Sequence, residues 1–409
     1  MTPTHGLLAH AEAVLAQLLR FAGPADQTLS GYFRRHRQLG QRDRAFIAEA
    51  AYAVLRRKRT LEAAAASAAP RALLVAALVR HVGLSGRALG LESELVARIH
   101  VADARLQPFA VQADLPDWLW ERLVAQQGGD EAMRIARSLL NPAPLDLRVN
   151  LARCSREEAL ARLELVAEAT PLSPAGIRLK DKPAINRHAL FLDGSIEVQD
   201  EGSQLLAYLV APRRGEMVAD FCAGAGGKTL ALAMLMRGAG RLYAMDVSAK
   251  RLAALAPRAA RAGVSNIHPL VLSGENDLRA RRLAGKLDRV LVDAPCSGFG
   301  TLRRNPDLKW RYGPERVAAL ADEQFRILAA ASRLVKAGGR LVYATCSILS
   351  EENEAVTGRF LRQVPGFEAL SCAEILAQQR IPLDTGSELR LWPHRHGTDG
   401  FFAAAFVRR

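Results

Sequence analysis

Apolar residues recur at helical spacing through the first part of the chain. The stretches "HAEAVLAQLLR", "RDRAFIAEAAYAVLRRKRTLEAAAA" and "RALLVAALVR" are rich in alanine and leucine and show almost no strand-like alternation. Apolar positions three and four residues apart form one face of a helix. The pattern predicts amphipathic helices that pack into an all-helical domain, which we place at residues 1–130.

The pattern changes near Asn141. "LDLRVN" alternates as a strand, "SREEALARLE" is typical of a helix opened by Ser155 with acids in its first turn, and "EATPLSPAGIRLK" indicates a returning strand. These elements predict a small α+β module, which we place at residues 131–190.

Strands and helices alternate over residues 213–355. Continuous apolar runs predict five strands, "MVADF", "RLYAMDV", "IHPLVL", "DRVLVDA" and "RLVYATC". Helices are predicted to begin at Lys228, at Ala249, near Asp277 and at Pro314. Apolar strands separated by helices indicate a parallel sheet that is covered on both faces. We predict a Rossmann-like, doubly wound α/β domain at residues 191–409, with ligands bound at the carboxyl ends of its strands.

Charge adds a class of partner. The 409 residues carry a formal net charge of +14, which favours a polyanion: nucleic acid first, a membrane surface second. A basic enzyme with neither partner also fits. The apolar run Arg71–Arg80 is too short to span a bilayer, and the first residues lack the pattern of a signal peptide. We expect a cytoplasmic protein that binds a polyanion and acts away from membranes.

The cysteines indicate the redox state and exclude a common metal motif. They are odd in number and show no C-x-x-C spacing, so we expect reduced thiols and no metal site. The five are Cys154, Cys222, Cys296, Cys346 and Cys372.

A glycine loop, "DFCAGAGGKT", follows the first strand of the α/β domain. Its last three residues fit a phosphate-binding P-loop, but Cys222 stands where the first glycine of that motif belongs. An NTPase therefore fits poorly, and ATP hydrolysis stimulated by RNA would be needed to revive that hypothesis. Asp246 ends the second strand, where an acid accepts hydrogen bonds from ribose hydroxyls. Loop and acid together suit NAD and S-adenosylmethionine equally well.

Two further strand ends carry thiols. "DAPCSG" places Asp293 and Cys296 after one strand, and "ATCS" places Cys346 after the next. If these strands are neighbours, both sulfurs lie over one crevice. A thiol beside a methyl donor suits methylation at C5 of cytosine, because addition of a thiolate to C6 makes C5 nucleophilic. Lys228 could activate the thiol and Asp293 could bind the pyrimidine edge. This chemistry alone does not say which cysteine attacks.

At this point the sequence resembles the Sun/Nop-type RNA (cytosine-5) methyltransferases. The resemblance is carried by "DFCAGAGGKT", "AMDVSAKRL", "DAPCSGFGTLRRNPDLKW", "YATCSILSEENE" and "TDGFFAAAFVR". The helical stretch "QRDRAFIAEAAYAVLRRKRTLE" is similar to the NusB-like domain of the bacterial RsmB/Fmu subgroup, which methylates 16S ribosomal RNA. "LNPAPLDLRVN" resembles the start of the linker module of that subgroup.

The resemblance implies roles for individual residues. Cys346 would be the nucleophile and Cys296 would assist release of the product. Asp246 would bind the ribose of S-adenosylmethionine and Asp293 would face both cofactor and base. Glu275 would reach the adenine, although Asn276 or Asp277 could take that place. The loop residues that would line the cofactor are Cys222, Ala223, Gly224, Ala225, Gly226, Gly227 and Lys228. Ala225 departs from the family, in which proline is usual.

Two basic runs are candidates for RNA contact. "TLRRNPDLKWR" follows Cys296 and combines cations with a tryptophan, which suits phosphate contact and base stacking. "LRRKR" closes a predicted helix, where cations are also favoured by the helix dipole. Solvated surface residues remain an alternative for both. The candidates are Arg303, Arg304, Lys309, Trp310, Arg311, Arg56 and Arg57. The acids of "EENE", after Cys346, are predicted to cap and charge a helix start.

The sequence therefore predicts an S-adenosylmethionine-dependent RNA cytosine-5 methyltransferase, monomeric and free of metal, acting on 16S ribosomal RNA. One alternative is the same chemistry on transfer RNA or on another ribosomal site. An alternative of another class is a non-catalytic RNA-binding factor resembling antitermination proteins. The intact "DAPCSG", "ATCS" and glycine loop argue against that second alternative.

Overall fold

A computed structural model describes residues 4–86, 89 and 94–409. Residues 1–3, 87–88 and 90–93 of the predicted helical domain lie outside the described residues. The contacts divide the chain into two compact units. The helical unit comprises Met1–Pro142 together with Thr301–Pro314, and the sheet unit comprises Ala143–Gly300 together with Glu315–Arg409. We call Thr301–Pro314 the insert.

In its described residues the helical unit consists of α-helices and short 3-10 turns, as predicted. Its core is built mainly from aliphatic residues of α1, α3 and α5, including Leu15, Ile47 and Leu73, all fully buried. The helices are α1 His5–Leu18, α2 Ala25–Arg35, α3 Gln41–Arg56, α4 Lys58–Ala65, α5 Pro70–Arg80, α6 Glu94–Val101, α7 Phe109–Gln112, α8 Asp117–Gln127, α9 Gly129–Leu139 and, in the insert, α17 Leu308–Arg311.

The composition of this unit differs from the sequence prediction in two ways. Helix α9 runs past residue 130, the predicted boundary, and the insert belongs here although more than 150 residues separate it from Pro142 along the chain. The insert belongs to this unit because it bonds to the end of α3. The last carbonyls of a helix have no partner within the helix, and the indole of Trp310 and the ammonium of Lys309 donate to those of Leu55 and Arg56, at 2.7 and 2.9 Å.

The sheet unit begins with the predicted small α+β module. Four antiparallel strands form a sheet in the order β2-β3-β1-β4. Helix α10, Arg156–Arg162, begins as predicted at Ser155, whose hydroxyl accepts from the Glu158 amide in a capping box. The strands are β1 Leu145–Val149, β2 Ala167–Ala169, β3 Gly176–Leu179 and β4 Ile196–Val198. Because β4 pairs with β1, this sheet extends beyond residue 190.

The large sheet has eight strands and the predicted doubly wound core. Its order is β10-β12-β9-β8-β5-β6-β7, with β11 paired to β12. All pairings among β5 to β9 are parallel, and those of β10, β11 and β12 are antiparallel. The strands are β5 Met217–Asp220, β6 Arg241–Asp246, β7 Ile267–Val271, β8 Leu287–Asp293, β9 Val335–Thr345, β10 Phe367–Leu370, β11 Leu389–Leu391 and β12 Phe401–Arg408. The five predicted strands are thus β5 to β9.

The sheet unit contains further helices, and those predicted between β5 and β9 begin within one residue of the expected positions. The further helices are α11 Ala189–Leu192, α12 Glu201–Val210, α13 Gly227–Leu235, α14 Ala249–Ala253, α15 Leu255–Ala262, α16 Leu278–Arg281, α18 Pro314–Ser332, α19 Glu354–Gln363, α20 Cys372–Gln378 and α21 Pro393–His396. The strand order reverses between β5 and β8, and ligands of such sheets bind at that switch point. The glycine loop and the "PC" loop follow these two strands.

One bent pair of helices has the length and composition of a membrane span. Among the described residues no single helix is long and apolar enough to cross a bilayer, and only α4 and α5 together, bent by 101° at their junction, satisfy length and composition.

Candidate active site

The glycine loop turns sharply between β5 and α13. Gly224 and Gly226 have φ values of +55° and +85°, which side chains disfavour, and a Cβ atom on Gly226 would lie 2.2 Å from Leu255 Cδ1. Two arginines hold the outer side of the loop. Arg148 of β1 donates to the Gly227 carbonyl at 2.9 Å, and Arg258 donates to the Ala225 carbonyl at 2.5 Å. With these carbonyls bound, the loop has a fixed shape.

Two carboxylates secure the strand ends beside this loop. Asp246 accepts from the amides of Gly224 and Ser248 at 2.8 and 2.7 Å, so the end of β6 is tied to the loop. Asp220 ends β5 and is almost fully buried; it accepts from the Thr229 hydroxyl at 2.7 Å, but its Oδ1 atom has no protein partner. Burial raises the pKa of Asp220 to about 7.

The donor set fits S-adenosylmethionine. That molecule carries an ammonium, a sulfonium and a ribose diol, groups that carboxylates recognise. Asp220, with its buried free oxygen, Asp246 and Asp293 all lie at strand ends around the glycine loop. The loop itself presents the start of α13, where backbone amides serve as donors. Of the predicted cofactor residues, those of the glycine loop, Asp246 and Asp293 therefore surround one place in the sheet unit.

The three candidates for the adenine are placed differently. Asp277 caps α16 and accepts from the Ser273 and Arg279 amides at 2.8 and 2.7 Å, so its carboxylate is engaged locally. Asn276 accepts from Arg333 at 3.4 Å, and Glu275 lies 3.4 Å from Arg326 in a partly exposed pair. Glu275 keeps the most accessible carboxylate and stays our prediction.

Lys228 and Asp293 form an ion pair beside the thiols. The Lys228 ammonium lies 2.7 Å from Asp293 Oδ2, and both side chains are largely buried. Burial lowers the pKa of Lys228, but the charge of Asp293, its hydrogen bond and the nearby Cys346 outweigh burial, so the pKa is raised. Lys228 is therefore a fixed cation next to Cys346, as a residue that stabilises a thiolate must be.

The two predicted thiols meet. β8 and β9 are neighbouring parallel strands, with Asp293 opposite Ala344, and the sulfurs of Cys296 and Cys346 lie 3.4 Å apart. All five cysteines are free thiols, as expected. The hydrogen bond to Cys346 and burial raise the pKa of Cys296 well above its ordinary value. Cys296 thus keeps its proton and can donate it in a hydrogen bond to the sulfur of Cys346. We call Lys228, Asp293, Cys296 and Cys346, the four residues predicted to be catalytic, the catalytic centre.

A buried carboxylate that sequence reasoning missed lies beneath the two cysteine loops. Glu352 is fully buried, and its oxygens accept from the Ser297 amide at 2.7 Å, the Ser297 hydroxyl at 2.5 Å, the Gln324 amide at 3.0 Å and the Ser347 hydroxyl. Ser297 follows Cys296 and Ser347 follows Cys346. One carboxylate therefore fixes both thiol-bearing loops.

The predicted role of "EENE" is wrong for its central residues. Helix α19 begins at Glu354, and neither Glu352 nor Asn353 caps it with its side chain. Asn353 is also buried and accepts from the Thr345 hydroxyl at 2.6 Å. The signal was present in the sequence as two polar residues a few positions after the thiol, but only the turn at residues 350–353 directs them inward.

The structure corrects the RNA-contact candidates. Lys309, Arg303 and Arg56 expose only 2%, 8% and 9% of their surface, and the Arg56 guanidinium donates to the Arg303 carbonyl at 3.0 Å. Arg56 and Lys309 hold the insert within the helical unit, and the side chain of Arg303 is buried there, so the prediction that these three cations bind phosphate is wrong. Trp310 is partly buried, and its indole N–H donates a hydrogen bond to the Leu55 carbonyl. Arg311 pairs with Asp307 at 3.2 Å.

Arg57 and Arg304 are partly exposed and stay predictions as RNA contacts. Within residues 4–86, 89 and 94–409, no group of three or more His, Cys, Asp or Glu side chains is arranged to hold a metal ion.

The fold and the residues at its switch point define the class: a Rossmann-like methyltransferase that uses S-adenosylmethionine. The family "16S rRNA methyltransferase RsmB/F" matches residues 207–407, and the ferredoxin-like domain of the RsmF/B-like methyltransferases matches residues 115–186. The chain belongs to this RsmB/F family of RNA methyltransferases, which confirms the predicted resemblance.

Individual relatives also support membership of this family. The chain is 32% identical to the probable ribosomal RNA small subunit methyltransferase B of Bacillus subtilis, over 83% of this chain and 77% of the relative. It is 38% identical to the protein of the same name from Synechocystis, over 72% of this chain and 66% of the relative.

Solved structures confirm the fold class. The chain is 27% identical in sequence to the protein in the crystal structure of PH0851, and the two structures have a TM-score of 0.79 over 99% of both chains. A methyltransferase homolog protein from Pyrococcus horikoshii is 29% identical, with a TM-score of 0.63 over 74% of this chain and all of the other.

Proposed function

We propose that this protein methylates C5 of a cytosine in 16S ribosomal RNA, with Cys346 as the nucleophile. The observation that carries the proposal is the pair of thiols 3.4 Å apart on neighbouring strand ends, next to the Lys228–Asp293 ion pair. A second thiol is not needed for methyl transfer to an ordinary nitrogen or oxygen. It is useful where a covalent thioether must form and then break.

Cys346 begins the reaction. Its thiolate adds to C6 of the cytosine, and the electrons of the C5–C6 double bond move so that C5 becomes nucleophilic. Bound S-adenosylmethionine would supply an electrophilic methyl group to C5 and would leave as S-adenosylhomocysteine, which keeps the electron pair of the broken S–CH3 bond. After C5 is methylated, a base takes the C5 proton, the C5–C6 double bond forms again, and the C6–S bond breaks with its electron pair returning to Cys346.

The neighbours of Cys346 support both halves of this cycle. Lys228 stabilises the attacking thiolate by charge, and Asp293, held by Lys228, can accept a hydrogen bond from the pyrimidine edge. Cys296 keeps its proton, because its pKa is raised by the bond to Cys346 and by burial. Its S–H group can therefore donate to Cys346 as that sulfur leaves, which favours release of the methylated RNA.

The assignment to 16S RNA draws on the relatives, whose names specify the ribosomal small subunit. Methylation of transfer RNA or of another ribosomal site uses the same centre and is distinguished by substrate only. A non-catalytic RNA-binding factor would have no need for the Cys346–Cys296 pair or the Glu352 support beneath it. We also propose that the enzyme is a cytoplasmic monomer that needs neither metal nor membrane.

The roles of the thiols are tested by single substitutions. Cys296→Ala, Cys346→Ala and the control Cys154→Ala are each incubated with 16S RNA and labelled S-adenosylmethionine, then run on a denaturing gel. Cys154 is a partly buried thiol of the small α+β module. We expect Cys296→Ala to accumulate a methylated covalent protein–RNA band, because addition and methylation proceed but release is slow.

Cys346→Ala should give neither band nor turnover, and Cys154→Ala should behave as wild type. The reverse pattern for Cys296 and Cys346 would show that the "PC" cysteine attacks. Methylation of transfer RNA and not of 16S RNA by the wild type would contradict the substrate only. Absence of all methylation and of any covalent band from the wild type would contradict the proposed function.

A further inference from the structure

The helical unit contains an open cleft that none of the predicted RNA contacts enters. It has a volume of about 510 Å³ and lies between α7, α8 and α9. Eight residues line it: Phe109, Gln112, Trp120, Gly129, Asp130, Met133, Arg134 and Arg137. We call it the aromatic cleft. Its composition combines two aromatic rings, a thioether and two guanidinium groups with a single exposed acid.

The aromatic rings form a ledge at the surface. Phe109 and Trp120 are stacked, with ring centroids 6.3 Å apart and planes inclined by 28°. Phe109 is 65% exposed although phenylalanine normally contributes to a core. Nucleobases stack on such rings regardless of sequence, because every base has a π face. The ledge is thus suited to an unstacked base.

The cations lie on one face of α9. Arg134 and Arg137 are three residues apart, which places their side chains on the same side of the helix. Arg134 pairs with Glu131 yet stays 61% exposed, and Arg137 is exposed and forms no ion pair among the described residues. With Glu131 bound to Arg134, the exposed Asp130 balances the formal charge of Arg137, so the cleft is close to neutral overall. The exposed Arg137 guanidinium is nevertheless the group open to a phosphodiester, in a chain of net charge +14.

We propose that the aromatic cleft binds one unstacked nucleotide of the RNA substrate, its base on the Phe109–Trp120 ledge and its phosphate at Arg137. The proposal rests on the proposed function for the identity of the polyanion. It adds an RNA site in the helical unit besides the catalytic centre of the sheet unit. A protein partner is the competing occupant, since Leu106 nearby is also exposed, at 83%. The stacked rings beside the exposed Arg137 guanidinium favour RNA.

The test compares four variants in binding of a fluorescently labelled fragment of 16S RNA. Phe109→Ala removes the outer ring of the ledge and Arg137→Ala removes the phosphate contact. Leu106→Ala and Arg20→Ala are matched controls, an exposed apolar residue and an exposed arginine of the same unit outside the cleft. Because Phe109 and Arg137 are exposed, neither change should alter the fold, and circular dichroism and thermal melting check this.

We expect Phe109→Ala to raise the Kd about tenfold, the order of effect found when a stacked base loses its ring. Arg137→Ala should raise the Kd and lower the slope of log Kd against log salt concentration by about one. The KM for RNA should rise in parallel in both variants. Both controls should bind as wild type does.

Two outcomes would overturn the proposal, and they differ in what else they imply. If the wild type binds and methylates RNA but the cleft variants match the controls, the aromatic cleft is not an RNA site and the proposed function stands. If the wild type neither binds nor methylates RNA, the proposed function fails and the cleft proposal fails with it.

Discussion

The insert begins five residues after Cys296 of the catalytic centre. Both regions are rich in polar and charged residues, yet they use these residues differently. In the centre, the sulfur of Cys346 and the carboxylate of Asp293 stay partly exposed, beside the glycine loop. In the insert, Lys309 and Trp310 donate to the main-chain carbonyls that end α3. A polar side chain is available to a ligand only where the protein itself does not satisfy it.

Each region is nevertheless secured by a buried charge. Glu352 receives four donors beneath the two cysteine loops. Lys309 is buried near Asp114, and burial lowers its pKa to about 7. The difference is in what the buried charge supports: reacting groups in the sheet unit, and the attachment of a chain segment in the helical unit. Substitutions should therefore damage chemistry in the first region and stability in the second.

Among the changes that test this contrast, the largest effect is expected from Glu352→Gln. The amide presents an NH₂ group where the carboxylate accepts from serine or glutamine donors, so at least one buried donor loses its acceptor. The loops of Cys296 and Cys346 should shift, and displacements of about 1 Å at reacting groups cost roughly 10²-fold in rate. We expect kcat to fall by about that factor, while the KM for S-adenosylmethionine changes little. Steady-state methylation of 16S RNA measures both.

Glu351→Gln is the control, since Glu351 is adjacent in sequence but only partly buried. It should retain nearly wild-type kcat. Equal rates for Glu352→Gln and wild type would show that the carboxylate does not position the thiols, and the contrast between the two regions would lose its clearest case.

The second-largest effect is the pH dependence of stability that the buried carboxyl group of Asp220 causes. Burial raises the pKa of Asp220 to about 7 from an ordinary 3.8, and Asp293 and Asp246 add to the rise while Thr229 and Lys228 oppose it. Between these two pH values the folded state holds a proton that the unfolded state has lost, so this group lowers stability as pH rises. Over the pH range from 3.8 to about 7, this group lowers the free energy of unfolding by about 4 kcal/mol.

Asp220→Asn removes this titration and keeps an oxygen that can accept from Thr229. Relative to wild type, the variant should gain stability as pH increases from 4 to 7, measured as the difference in Tm by calorimetry. Asp181→Asn, an exposed aspartate of the same unit, should show no such trend. A constant difference in Tm for Asp220→Asn would show that Asp220 has an ordinary pKa.

Much of the sheet unit could be predicted because apolar runs fix where parallel strands end. Asp246, Asp293 and Cys346 were located at strand ends by that rule. The distance between Cys296 and Cys346 then follows from the pairing of β8 with β9. Local patterns determine these positions, so a single sequence contains the information.

Long-range burial was not predictable in the same way. Nothing in the letters around Lys309 shows that the carbonyl of Arg56, 253 residues earlier, is its acceptor. A basic run with a tryptophan looks the same whether it faces RNA or the end of a helix. Glu352 was missed for a related reason, since an acidic run before a helix is usually a cap, and here the turn directs one acid inward.

The smallest effect is expected from Trp310→Phe, which tests the structural role of the insert. The phenyl ring keeps most of the apolar contact but cannot donate to the Leu55 carbonyl, now bound at 2.7 Å. Leaving a largely buried acceptor without its donor costs about 1–2 kcal/mol. The Tm of the variant should fall by a few degrees, while its Kd for 16S RNA stays that of the wild type. Asn305→Ala, at an exposed position of the insert, should change neither quantity.

If Trp310→Phe instead weakens RNA binding and leaves the Tm unchanged, the indole faces RNA in the working enzyme. The insert would then resemble the catalytic centre in presenting its polar groups to a ligand, because the carbonyl of Leu55 would not be what holds the tryptophan.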